Sequence, residues 1–186
     1  MGLLALVPLV VLLLVVMRHD VLSHRVPNQL VLVGVLVGLA LNGLLPAGGG
    51  FNSAIPGGLG WLAGLQGVGV GLAVLLPLYL LRAMGAGDVK LMAMVGAFVG
   101  TNDVLGVLLA TFLAGGLMAL AVLLWSKQFA HFLQNLKLIL MGSMVNMSVG
   151  QLPMMDDLPI SVGKLPYAVA ITVGTFAYLL WQRSGH

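Results

Sequence analysis

Asp88 closes the tetrapeptide Gly85-Ala86-Gly87-Asp88, between two long apolar runs of a chain that has five Asp and no Glu. A carboxylate at the edge of an apolar medium is costly unless it is paired or put to use. The two glycines ahead of it let the backbone turn tightly and approach whatever the carboxylate serves. Of the other acids, Asp103 follows Thr101-Asn102 where an apolar run resumes, a position suited to a helix N-cap. Asp156 and Asp157 are neighbours between Pro153 and Pro159 and read as solvated loop charges. That leaves Asp20, just past the end of the first apolar run. Two carboxylates brought to one water cannot both ionise cheaply, so they share a proton. The ionised one then acts as general base toward the water, and the protonated one donates to a substrate carbonyl. This chemistry hydrolyses an amide without a Ser or Cys nucleophile and without a metal. A plainer reading pairs Asp20 with Arg18 or Arg25, and Asp88 with Lys90 or Arg82, as surface ion pairs. Spacing alone leaves both readings open.

Composition sets the elements that must position these acids. With 60% hydrophobic and 7% charged residues over 186 positions, the chain falls far below the roughly 25% charge of a soluble domain. The apolar runs are continuous rather than alternating, which excludes a β-barrel pattern and points to an all-α polytopic membrane protein. A crossing takes about 20 helical residues. Six spans are expected, over residues 3–17 (continuing helically past Arg18), 29–45, 58–81, 89–99, 104–125 and 167–181. The first has no basic residue ahead of it and no small-residue cleavage site after it, so it reads as a retained span rather than a signal peptide. A single domain over 1–186 is expected.

Placing alternate loops on opposite sides puts Arg18, Arg25, Arg82, Lys90, Lys127, Lys137 and Lys164 together and only Arg183 opposite. By the positive-inside rule the crowded side is cytoplasmic and both termini face out. Asp20 and Asp88 then share the cytoplasmic side. The scattered basic residues are topology signals, so no nucleic-acid partner is expected. Phe129, Phe132, Leu133, Leu136 and Leu140 recur at helical spacing within 126–164. That stretch reads either as an amphipathic helix on the inner membrane surface or as one packed on the bundle. The pairs Gly34/Gly38, Gly60/Gly64, Gly67/Gly71 and Gly96/Gly100 read as helix-packing signals. With no Cys there is neither a disulfide nor a thiolate site. His19 and His24 lack acidic or thiol company, so no metal or other cofactor is expected.

Asp20-Val21-Leu22-Ser23-His24-Arg25-Val26-Pro27-Asn28 and Gly85-Ala86-Gly87-Asp88-Val89-Lys90-Leu91 resemble the two signatures of type IV prepilin peptidases, which are GxGD-type intramembrane aspartic proteases. The first signature is Asp, five residues, Ile or Val, Pro and Asn. The second is GxGD with a Lys two residues on and a small, Gly-containing helix after it, here Leu91 to Gly100. Leu165-Pro166-Tyr167-Ala168 also resembles the short members. The resemblance implies that Asp20 and Asp88 are the catalytic pair, supported by Gly85, Gly87, Lys90, Pro27 and Asn28. It implies a prepilin substrate, whose short basic leader is cut off after Gly at the cytoplasmic face of the inner membrane. Bifunctional members carry a zinc-binding Cys-rich extension and methylate the new terminus. This chain starts at its first span without Cys, and so looks like the peptidase-only form of tight-adherence (Flp-type) pilus systems. Archaeal preflagellin peptidases stand as the near alternative, and a small ion- or proton-coupled transporter as the alternative of another class. Pro27 is expected to set the entry angle of the second span. For Lys90, biasing Asp88, binding lipid phosphate and meeting an acidic substrate residue all remain open.

Overall fold

The computed structural model of the chain describes residues 2–23, 25–125 and 167–184. Among these residues 83% are helical and none lies in a strand, so nearly every backbone group is satisfied within its own helix, as an apolar solvent requires. The helices are α1 (Gly2–Ser23), α2 (Asn28–Leu44), α3 (Trp61–Leu80), α4 (Ala86–Trp125) and α5 (Tyr167–Ser184). Three are long and apolar enough to cross a membrane: α1 from Ala5 to Ser23, α3 and α4. The expected segment 126–164, with Asp156, Asp157, Lys127, Lys137 and Lys164, lies outside the described residues, as does His24.

α4 contains both the fourth and the fifth expected spans. Its 40 residues are broken at Gly100, where φ is 77° and ψ −178°, a conformation that costs a side-chain-bearing residue dearly. Gly100 is therefore a turn as well as the packing glycine that its spacing from Gly96 suggested, since its Cα lies 2.9 Å from where a Cβ on Gly67 would stand. Gly60, at the start of α3, likewise has a positive φ, of 88°. The arm 86–99 is the centre of the bundle, and every residue from 91 to 100 is buried. It runs antiparallel to α3, with Gly96 against Gly67 and the Met92 carbonyl against Gly71. Alongside α2, Met94 fills the space over Gly34 and Phe98 that over Gly38. A methyl group added at Gly67 or Gly96 would land on the facing backbone, so small residues set this approach.

The arm 101–125 packs antiparallel to α5. Gly106 lies against Tyr178, Thr111 against Gly174, and Gly115 against Tyr167. The sequence reading made Asp103 an N-cap. Instead its carboxylate accepts hydrogen bonds from the Tyr178 hydroxyl (3.0 Å) and from Gln182 Nε2 (3.2 and 3.3 Å), and so joins this arm to α5. The break at Gly100 frees carbonyls at the end of the first arm. Asn42, buried in α2, donates to two of them, Ala97 O (2.8 Å) and Phe98 O (3.1 Å), and accepts from Leu59 N (3.0 Å). Through these contacts the end of α1 and the starts of α2, α4 and α5 gather at one end of the bundle. The Gly100 turn and the 46–60 loop lie at the other.

Candidate active site

Asp20 is helical. The apolar run stops at Met17, but α1 continues through Arg18, His19 and Asp20 to Ser23. The carboxylate therefore projects from the last turns of a rigid element rather than from a loop. Its last turn is closed by His19, whose Nδ1 lies 2.7 Å from Ser23 Oγ and 3.2 Å from Arg25 O. Asp20 itself is 7% exposed. Pro27 follows as the N-cap of α2 with φ −66° and ψ 121°. It accepts from Val31 N (3.3 Å) and so sets where α2 begins.

Asp88 sits in the first turn of α4, half-buried. Its backbone N–H donates to Gly85 O (3.2 Å), and its carboxylate takes a hydrogen bond from the Gly85 backbone. This reach back across one turn is the N3 half of a capping box, the other half being absent because Gly85 has no side chain. Gly87 faces the first signature: a Cβ there would lie 2.9 Å from Val26 Cβ and 3.0 Å from Val26 Cγ2. The two signatures meet again where Lys90 Nζ donates to Asn28 Oδ1 (3.1 Å), with both side chains exposed. Gly87 against Val26 and Lys90 on Asn28 thus form a seam between the two signatures, while Pro27 caps α2 and Gly85 caps α4 beside it.

The seam brings the acids together. Asp20 and Asp88, 68 positions apart in the sequence, are close enough for their charges to interact. Among the described residues no ion pair joins Asp20 to Arg18 or Arg25, and Lys90 turns to Asn28 rather than to Asp88. Of the expected surface ion pairs, those of Asp20 with Arg18 or Arg25 and of Asp88 with Lys90 are not adopted. Two acids in each other's field are the arrangement in which a single proton can serve both. Among the described residues no group of three or more His, Asp or Glu is placed to hold a metal ion.

A third element completes the site, and the sequence reading gave it no role. The backbone N–H of Ala168 donates to Asp20 Oδ2 (3.3 Å) across 148 positions. The Tyr167 phenol lies within electrostatic reach of Asp88. Both residues belong to the first turn of α5, whose N–H groups have no partner within the helix. Pro166 announces that helix start in the sequence, but a backbone donor has no residue-type signature.

A sequence model of the type IV leader peptidase family matches residues 7–120. The interval holds both signatures and both acids, and ends before α5. No curated protein and no solved structure matches the chain.

Proposed function

The chain belongs to the type IV leader peptidase family, and from that membership we propose an aspartic endopeptidase in which Asp20 and Asp88 jointly activate water. One carboxylate, ionised, takes a proton as the water oxygen attacks the scissile carbonyl carbon. The other, protonated, donates to the carbonyl oxygen. Collapse of the tetrahedral diol sends a proton to the departing nitrogen, giving a new carboxyl end and a free amine, and the pair again holds one proton. The observation that carries this reading is the convergence of Asp20 and Asp88 at one end of the bundle, within each other's field.

The proposed substrate is a prepilin of the Flp kind: a short basic leader ending in Gly, followed by an apolar helix that stays in the bilayer. We take the Asp-bearing end as cytoplasmic, on the count of basic residues, with both termini outside. The two arms of α4 are read as separate crossings, giving six in a single domain. Exposed Trp61 and Trp181 at one end and Trp125 at the other suit the two interfacial belts of such a protein.

The test is co-expression with a prepilin, following loss of its leader by gel mobility, for the wild type and for Asp20→Asn and Asp88→Asn. Each substitution keeps the side-chain shape but removes the titrating group, and each abolishes processing. Normal processing by either variant sinks the assignment.

A further inference from the structure

Resting on this reading of the two acids, we propose that Tyr167 is a positioning residue of the site, and that the first turn of α5 fixes the geometry between Asp20 and Asp88. Three observations meet there. Ala168 N–H holds Asp20 Oδ2 at 3.3 Å, so the α5 backbone fixes one acid. The preceding residue, Tyr167, is half-buried with its phenol in the field of Asp88, so its side chain addresses the other. Consecutive residues of one helical turn therefore bear on both members of a pair drawn from α1 and α4, one by a hydrogen bond and the other through its field.

The third observation concerns what seats the ring. Gly115 lies beneath it: a Cβ there would stand 3.2 Å from the Tyr167 hydroxyl oxygen and 3.3 Å from Cζ. Gly115 is buried, so the hydroxyl is backed by helix rather than free to swing. Ala168 and Ala170, both buried, hold the same turn against its neighbours. A phenol so backed is a preorganised dipole at the edge of a pair whose charge must stay in one place while water attacks.

The experiment uses the full chain in detergent and a synthetic substrate, a basic leader ending in Gly joined to an apolar helix of about 20 residues. Tyr167→Phe keeps the ring and removes the hydroxyl. It lowers kcat by about 10- to 100-fold, with KM within about twofold, the penalty of a misplaced group rather than of lost binding. Gly115→Ala pushes the hydroxyl without changing its chemistry. It lowers kcat when Tyr167 is present and has a smaller further effect in the Tyr167→Phe background, where the hydroxyl contact is gone and only the Cζ contact at 3.3 Å remains. A wild-type kcat for Tyr167→Phe overturns the proposal. So does a rise in KM alone, or an equal effect of Gly115→Ala in both backgrounds. Asp20→Asn and Asp88→Asn run on the same substrate separate the two levels. Cleavage by those variants defeats the aspartic reading itself, whereas their inactivity beside an unimpaired Tyr167→Phe defeats only the role of Tyr167.

Discussion

Gly87→Ala sets two physical effects against each other at a single atom. In the first turn of a helix, Ala in place of Gly reduces the entropy lost on folding, a gain of up to about 0.5–1 kcal/mol. Propensity alone therefore predicts an unchanged or slightly more stable protein. The new Cβ, however, would stand 2.9 Å from Val26 Cβ and 3.0 Å from Val26 Cγ2, where carbon atoms pack at about 3.5–4.0 Å. The two signatures must then part by about 0.5–1 Å at the seam that orients Asp20 against Asp88. A displacement near 1 Å costs about 100-fold in rate where groups must meet in a fixed geometry. The expected outcome is an intact, folded protein whose kcat falls by one to two orders of magnitude, measured on the synthetic leader substrate beside a thermal melt in detergent. Val26→Gly removes both clashing atoms, leaving Val26 N at an ordinary 3.7 Å. In that background Gly87→Ala has little further effect. A wild-type rate for Gly87→Ala, or an equal loss with Val26 and with Gly at position 26, refutes the reasoning.

Asn42→Ala leaves the Ala97 and Phe98 carbonyls and the Leu59 N–H without the partners they now have in a buried setting. At about 1–3 kcal/mol per unsatisfied group and about 2–4 °C per kcal/mol for a chain of this size, Tm falls by at least about 6 °C in differential scanning fluorimetry. The natural absence of Cys makes single-cysteine labelling clean: Asn102→Cys, exposed beside the Gly100 break, labels with a membrane-impermeant maleimide from the outside. Ala83→Cys labels only after permeabilisation. Protection of Asn102→Cys in both conditions means that α4 does not turn back at Gly100.

How much of this was legible depended on whether a residue's type carried its role. α2 begins at Asn28 behind Pro27, whose fixed φ suits a helix entry, and that start was readable. Counting Lys and Arg on alternate loops put Asp20 and Asp88 on one side of the membrane, but charge counts carry no distance, so how near the two acids lie was not legible. Gly100 was only half read: it does pack against Gly67, but a glycine needed for close approach and one needed for positive φ are the same residue, so the turn went unseen. The extension of α1 through Asp20 was only half visible, since apolarity ends at Met17 whereas a helix needs no apolar residues to continue. Asn42 was an unread signal, a lone amide inside an apolar span that had to find partners. Asp103 was assigned to its own helix start, but its acceptors are used by Tyr178 and Gln182 from α5. Ala168 could not be read at all, because what it contributes is a backbone N–H.

The two acids are held by different means, and this decides which perturbations reach which acid. Asp88 opens an arm buried from 91 to 100 and set against α3 at backbone contact, so it moves only if that arm moves. Asp20 stands on α1, which meets the site through its last turns, and α5 supplies its hydrogen bond through Ala168 N–H. Changes along the Gly67–Gly96 seam should therefore displace Asp88 and lower thermal stability together, because they disturb the centre of the bundle. Changes at the start of α5 should displace Asp20 with a much smaller loss of stability, since the rest of that helix stays anchored by Thr111 against Gly174 and by the Asp103 cluster. A site made of helix ends also suits the proposed cleavage. A peptide bond inside a helix is already hydrogen-bonded and dry, whereas one at the mouth of the bundle can be unwound and wetted. Helix termini also bring backbone donors that have no helical partner to use instead. On that logic the scissile bond is met where the substrate's leader leaves its helix, which is the one place along such a chain where water and an extended backbone coincide.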